Sequence, residues 1–483
     1  MKRLSSLIAA VLLVLATITL AFPSDAVYYA PEGKQAMAYS QVVSYNDRLI
    51  IIARLPTVPE NSIDQSVIAE LFQGDNYPSI PDYFREVSHN QEEIRFPEIW
   101  EVTLDSDYVE LNLQEYRDDL FWDIYKVSQD IINKAVAVYG KENFSKYSSV
   151  IFILDTFLGS PYGGNICFEV GENSHCFFGV WLSQGISYAG MKCRVTMDVS
   201  VHEMLHASKT PGNGLPSGFV EGLSHVLCDG NPYISRWDPV GDCAAFRFKR
   251  DQGFGYIPIH ISAFNKWLLG WLANSQIVYA GAGKSIIELE ILALPESGKK
   301  MAVIPVSSNS CIVLEVRESH GNYDVFPPDV GGVVPYLATY SDGFIPSLDT
   351  HPEFCFKALK LGQNLNWYGV EIKVEAKTPT GYKISITNSN QPNFTPPPLL
   401  SFTDAESHSA TIWWGKNPWW WALGQKFWFA PRDLSYIASF QAGDINILSD
   451  VVLWPGADFY IAIQPNGLPD FQNLTNIVEF TVP

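Results

Sequence analysis

Apolar residues along the first half of the chain fall into two periods. Arg48-Leu-Ile-Ile-Ile-Ala53 and Ser149-Val-Ile-Phe-Ile-Leu154 are continuous apolar runs rich in β-branched residues, the pattern of strands buried on both faces. Between them, Leu111 to Tyr139 has few breakers and sets Leu120, Ile124, Val127 and Ile131 at helical spacing, which predicts an amphipathic helix. Met197 to Ser208 and Ser217 to Leu227 predict two further helices across the breaker-rich Thr210-Pro-Gly-Asn-Gly-Leu-Pro216, with Ser217 suited to cap the second. After Trp271 the texture changes. Ser285-Ile-Ile-Glu-Leu-Glu-Ile-Leu292 and Cys311-Ile-Val-Leu-Glu-Val316 recur with turn residues between them, predicting β-rich structure. Thr387 to Pro398 is polar, rich in Asn and Pro, and reads as a linker; the remainder alternates like a β-sandwich.

The amino end follows neither period. Lys2 and Arg3 precede an apolar run from Leu7 to Leu20 and then small residues at Ala21 and Ala26, the order of a secretory signal peptide over residues 1–26. The run is short for the roughly 20 residues of a spanning helix, and no comparable stretch follows. The expectation is an extracellular protein with no membrane association once the signal is removed. Seven cysteines fit that compartment as disulfides plus one leftover thiol. Cys167 with Cys176, and Cys228 with Cys243, are the first pairings to expect, and no CxxC spacing suggests a cysteine metal site. A net charge of −20 argues against a nucleic-acid partner, which requires a basic face. Asn143, Asn393 and Asn473 lie in glycosylation sequons.

The chemistry is concentrated in Val201-His-Glu-Met-Leu-His206. On a helix, residues i and i+4 share a face, so both imidazoles can reach one ion, and Glu203 falls beside them where a water would sit. A catalytic zinc takes three protein ligands and keeps an open position for water. It lowers the pKa of that water towards ~7, and a nearby carboxylate can then take the proton. The spacing therefore predicts Zn2+ held by His202 and His206, with Glu203 as general base. The third ligand must come from elsewhere. Gly218-Phe-Val-Glu-Gly-Leu-Ser-His225 follows a loop that can reverse the chain and bring Glu221 back against the first helix. His225, four residues on, could orient Glu221, donate to a developing oxyanion or cap the helix. Asp229 is a weaker rival, about 12 Å further along a straight helix.

Leu215-Pro-Ser-Gly-Phe-Val-Glu-Gly-Leu-Ser224 resembles the segment that supplies the glutamate ligand in peptidase-MA-like gluzincins. The wider surroundings resemble the M6 peptidases of the immune inhibitor A type. The matching segments are Leu71-Phe-Gln-Gly with Ser79-Ile-Pro-Asp-Tyr-Phe-Arg-Glu-Val-Ser88, then Asn143-Phe-Ser-Lys-Tyr147 and Ile261-Ser-Ala-Phe-Asn-Lys-Trp-Leu-Leu-Gly-Trp271. Leu314-Glu-Val-Arg317, Tyr323-Asp324 and Gly332-Val-Val334 continue the series, so the resemblance runs in order over about residues 45–340. The chain departs from that family at Lys209, where it usually has glycine, and in lacking a methionine between Met204 and Met301. The resemblance implies an extracellular endopeptidase acting on proteins.

Seven of the fourteen tryptophans (Trp413, Trp414, Trp419, Trp420, Trp421, Trp428 and Trp454) lie in the last segment. A sandwich core or domain interface accounts for them more simply than platforms for glycan rings, which remain the alternative. The expectation is an α+β chain with a zincin-type metallopeptidase domain over 27–274, a β-rich domain over 275–386, a linker over 387–398 and a Trp-rich β-sandwich over 399–483. Its expected activity is hydrolysis of peptide bonds in a protein or peptide substrate by a zinc-bound water that Glu203 activates. The alternative is a secreted zinc-binding pseudoenzyme or an adhesion or carbohydrate-binding surface protein.

Overall fold

Burial on both faces turns the two apolar runs into the centre of a parallel sheet. In the computed structural model, Ser44–Arg54 (β1), Glu92–Thr103 (β2), Ser149–Leu154 (β3), Tyr162–Val170 (β4) and Asn173–Ser183 (β5) form one sheet in the order β2-β1-β3-β5-β4. All neighbours are parallel except the edge strand β4, which runs antiparallel to β5. Alternate residues of β1 feed two cores. Ile50 and Ile52 pack with Gln65–Gln73 (α1) and Ile80–Val87 (α2) on one side, and Leu49, Ile51 and Ala53 pack with Ile124–Tyr139 (α3) on the other. Asp64 and Ser79 cap α1 and α2 by accepting the amides of Ser66 and Asp82. The structure describes residues 44–56, 63–105, 124–140, 147, 149–155, 161–170, 173–183, 185–186, 192–193, 195–208, 223, 225–232, 234–241, 249–295, 298–307, 310–327, 329–339 and 347–390, together with seven strands between 402 and 481. The signal segment, residues 111–123 of the expected helix and the three sequons lie outside them.

Met197–His206 (α4) lies on the α1/α2 side, preceded by the short ladder of Gly185–Ile186 (β6) with Lys192–Cys193 (β7). The chain then enters Val226–Cys228 (β8), the ladder of Arg250–Asp251 (β9) with Gly255–Tyr256 (β10), and Ala263–Leu268 (α5). Nine residues on from the end of α5 the β-rich part begins. Ile277–Tyr279 (β11), Gly283–Glu290 (β12), Met301–Pro305 (β13), Ser310–Arg317 (β14), Gly332–Thr339 (β15), Ser347–Thr350 (β16), Asn364–Trp367 (β17), Val370–Lys377 (β18) and Gly381–Asn388 (β19) make two sheets. Their orders are β11-β13-β14-β15-β16-β8 and β12-β19-β18-β17.

The six-stranded sheet is buried on both faces. Ile312, Leu314 and Val316 of β14 pack against Ile372, Val374, Ile384 and Ile386 of the four-stranded sheet. Cys311 and Val313 face the other way, into the core shared with α1, α2, α4 and α5. The expected boundary at 274/275 is therefore bridged three times: by this common core, by β8 pairing in parallel with β16, and by the Cys228–Cys355 disulfide.

Several expectations are corrected. The helix expected over Ser217–Leu227 does not reach its end: Val226–Cys228 is a strand, because β16 offers a pairing edge and both Val226 and Cys228 are buried against the core. Cys228 bonds to Cys355 and not to Cys243. Cys167 and Cys176 do stand opposite each other in the β4–β5 register, and Cys311 is a buried free thiol. Thr387 and Asn388, expected in the linker, close β19, where the Asn388 amide donates to the Pro305 carbonyl at 2.9 Å.

The last seven strands, Phe402–Glu406 (β20), Ser409–Trp413 (β21), Gln425–Pro431 (β22), Ala438–Gln441 (β23), Ile447–Val452 (β24), Asp458–Pro465 (β25) and Val478–Thr481 (β26), pair as β20-β21-β24 and β23-β22-β25-β26. First, second and fifth strands in one antiparallel sheet, with the rest in the other, is β-sandwich connectivity. Trp413 and Trp428 lie on β21 and β22, and the other five clustered tryptophans lie outside the described residues. The whole is a mixed, strand-rich fold with few helices. No helix among the described residues is long and apolar enough to cross a membrane.

Candidate metal centre

Helix α4 carries the motif and is buried along most of its length, from Met197 to Leu205. Met197, Val201, Met204 and Leu205 anchor it in the core. That leaves His202, Glu203 and His206 at the rim facing β4 and the 223–241 segment.

The two motif histidines have a fixed tautomer. His202 Nδ1 lies 2.6 Å from the Pro239 carbonyl and His206 Nδ1 lies 2.5 Å from the Leu223 carbonyl. A carbonyl only accepts, so both Nδ1 atoms carry the proton and a neutral ring then leaves Nε2 bare. Burial pushes His202 down to about 4. Burial, followed by its neighbours His202 and His225, pushes His206 down to about 3. Both rings are thus neutral near pH 7. Their Nε2 atoms nevertheless face each other at 3.1 Å, lone pair to lone pair, inside a site where His202 is 4% exposed. Two nitrogens bound to one tetrahedral zinc at about 2.0–2.1 Å would stand about 3.3–3.4 Å apart. The donor set fits a zinc ion.

His225 completes a triad. One ring nitrogen from each of His202, His206 and His225 lies within 4.8 Å of the others, with ring centroids 4.4 Å from His206 and 5.5 Å from His202. Expected on a helix, His225 instead stands one residue before β8, within this cluster of imidazoles. Glu221 lies outside the described residues, so its expected ligand role has no geometry beside it. Asp229 is exposed, at φ 52° in the turn after β8, and is not part of the triad.

Glu203 sits beside the triad, 8% exposed. Burial raises its carboxyl to about 8, opposed by a hydrogen bond from the Gly163 amide. Gly163 belongs to the edge strand β4, and a Cβ there would overlap the Glu203 carbonyl. Only glycine lets β4 approach α4 this closely.

Sequence reasoning missed the carbonyls of Pro239 and Leu223, because backbone groups leave no trace in residue type. It had one usable signal for the first of them. Asp238-Pro-Val-Gly241 is a turn sequence, and in the structure Asp238 accepts the Val240 amide at 3.0 Å while the Gly241 amide donates to the Asp238 carbonyl at 2.9 Å.

The chain matches no family model and no curated protein. Among solved structures it is similar to a two-domain fibronectin type III segment from chicken tenascin, at 10% identity and a TM-score of 0.14, over 38% of this chain and 97% of that one.

Proposed function

We propose that the chain is a secreted zinc-dependent endopeptidase of the zincin type. His202, His206 and His225 would hold the metal, and Glu203 would act as general base and then proton donor. The observation that carries this is the pair of neutral imidazoles whose bare Nε2 atoms face each other at 3.1 Å. Without a cation that contact is repulsive; with one it is a ligand pair. Glu221, two residues before Leu223 in sequence, is the carboxylate that would take the third ligand position in place of His225 in a gluzincin-like set.

Zinc, when bound, supplies Lewis-acid polarisation of a carbonyl and a more acidic water. Glu203, which a bound cation beside it would keep ionised, takes a proton from the attacking water as the water's oxygen bonds to the scissile carbonyl carbon. It then passes that proton to the amide nitrogen as the C–N bond breaks. Strand β4 supports a peptide as substrate: it ends the sheet next to Glu203, and an extended chain can pair with such an edge. The ordered motifs from Leu71 to Val334 support an M6-like member of this class.

The test is digestion of casein by the purified chain with and without a chelator, repeated with Glu203→Gln. Wild type should digest, the chelator should abolish digestion, and the variant should keep zinc while losing at least ~100-fold in rate. Chelator-insensitive digestion, or full turnover by Glu203→Gln, would overturn the proposal. Stoichiometric zinc with no hydrolysis would favour the zinc-binding pseudoenzyme.

A further inference from the structure

A buried polar frame lies behind His202 and has no part in the hydrolysis just described. Its centre is Arg317, fully buried, which pairs with Asp324 at 3.1 and 2.7 Å and with Glu315 at 3.1 Å. It also donates to the carbonyls of Trp237 at 2.6 Å and His260 at 2.9 Å. Glu315 accepts the Ala263 amide at 2.5 Å and the Tyr336 hydroxyl at 2.8 Å. These contacts pin the start of α5 and the chain at Trp237 to the six-stranded sheet.

Asp238 follows Trp237 and is also fully buried. Its Oδ1 accepts the Val240 amide at 3.0 Å, and its Oδ2 accepts the Ser262 amide at 2.7 Å and the Asn265 side-chain amide at 2.9 Å. The carboxylate thus ties both sides of Pro239 to the cap of α5. Pro239 has a restricted φ, so with Asp238 and Val240 held, little freedom remains for its carbonyl, the atom that receives His202 Nδ1 at 2.6 Å.

We infer that Asp238 is a positioning residue for the metal centre, acting through the Pro239 carbonyl to hold His202 with Nδ1 protonated and Nε2 turned to the ion. This rests on the zinc reading above. The cost of burying a carboxylate without a cation in direct contact is met here by donors from Val240, Ser262 and Asn265, the last two at the cap and first turn of α5. A side chain serving only the stability of α5 would have no need to grip Val240 as well.

The experiment measures zinc affinity of the full chain by chelator competition, for wild type, Asp238→Asn and Tyr336→Phe. An asparagine offers one acceptor where the carboxylate offers two, so it cannot satisfy Val240 and Ser262 together. Partners that orient a ligating histidine typically contribute 10–100-fold in metal affinity, and that weakening is expected for Asp238→Asn. Tyr336→Phe removes a hydrogen bond from the same buried frame without touching the 238–241 turn, so it should lower the melting temperature while leaving zinc affinity within twofold. Should Asp238→Asn fail to fold, Asn265→Ala keeps the carboxylate but removes one donor, and a several-fold weakening is expected. Unchanged affinity in the folded Asp238 or Asn265 variant, or equal weakening by Tyr336→Phe, would overturn the inference while leaving the zinc reading intact. A wild-type chain that binds no zinc would overturn both.

Discussion

Removing the Cys228–Cys355 bond should weaken the fold and the candidate metal centre together. The bond joins cysteines 127 positions apart, both almost fully buried. Chain-entropy bookkeeping for a loop of that size gives about 5 kcal/mol at 25 °C of stabilisation through the unfolded state. The three-residue strand β8 pairs with β16 next to this bond, and His225 stands three positions before Cys228. Opening the link therefore frees the element that places the third imidazole. The perturbation is Cys228→Ser with Cys355→Ser, since a single change would leave a reactive partner thiol. Urea unfolding without zinc should show a loss of roughly 3–5 kcal/mol, the entropic figure less what native-state relaxation returns. Zinc affinity, measured where the variant is still folded, should fall at least tenfold, with His225→Ala showing a similar fall. An unchanged unfolding midpoint would refute the loop argument. A destabilised variant with wild-type zinc affinity would refute the claim that β8 delivers His225.

Two buried cations carry the remaining predictions. Arg48 is 2% exposed and sits 3.9 Å from Glu92, with Nε and Nη1 lacking hydrogen-bond partners, so replacing the pair together, Arg48→Met with Glu92→Gln, should stabilise the chain by about 1–4 kcal/mol; a clear fall in the urea midpoint would count against this account. Lys266 is fully buried with Nζ 3.0 Å from His260 Nδ1, and burial lowers it from 10.5 to about 7. The unfolded chain keeps that proton up to higher pH than the folded one, so wild-type stability should rise from pH 7 towards 10.5. Lys266→Met should flatten the rise and gain a few kcal/mol over wild type below pH 7; parallel pH–stability curves for the two proteins would exclude Lys266 as its source.

What the sequence revealed depended on range. The run Ser149–Leu154 is a strand at the residues expected, because five consecutive apolar side chains from Val150 to Leu154 in a parallel sheet need no distant information. The i, i+4 spacing of His202 and His206 likewise placed the two rings together, since helix geometry alone decides it. His225 could not be placed that way. Its helical expectation was reasonable for the segment, but β8 forms because Leu348–Thr350 come to pair with it from more than a hundred residues downstream. The Cys228 partner was missed for the same reason, sequence proximity being a poor guide to which buried sulfurs meet. Glu315, Arg317 and Asp324 were visible only as pieces of a resemblance. The structure gives them a physical task, holding the start of α5 and Trp237 in a buried frame.

The position of β8 also sets the order in which the molecule can mature. His202, Glu203 and His206 are made early and lie on one helix, which can form as soon as it has a sheet to pack on. The strand behind His225 has no pairing edge until Ser347–Thr350 exists, and no covalent anchor until Cys355 does. A chain emerging from its amino end therefore passes through more than a hundred further residues with two of the three imidazoles assembled. Such long-range closure is slow to form. On the zinc reading proposed above, competence to retain a metal ion would arrive as a late event of folding, tied to formation of the Cys228–Cys355 bond.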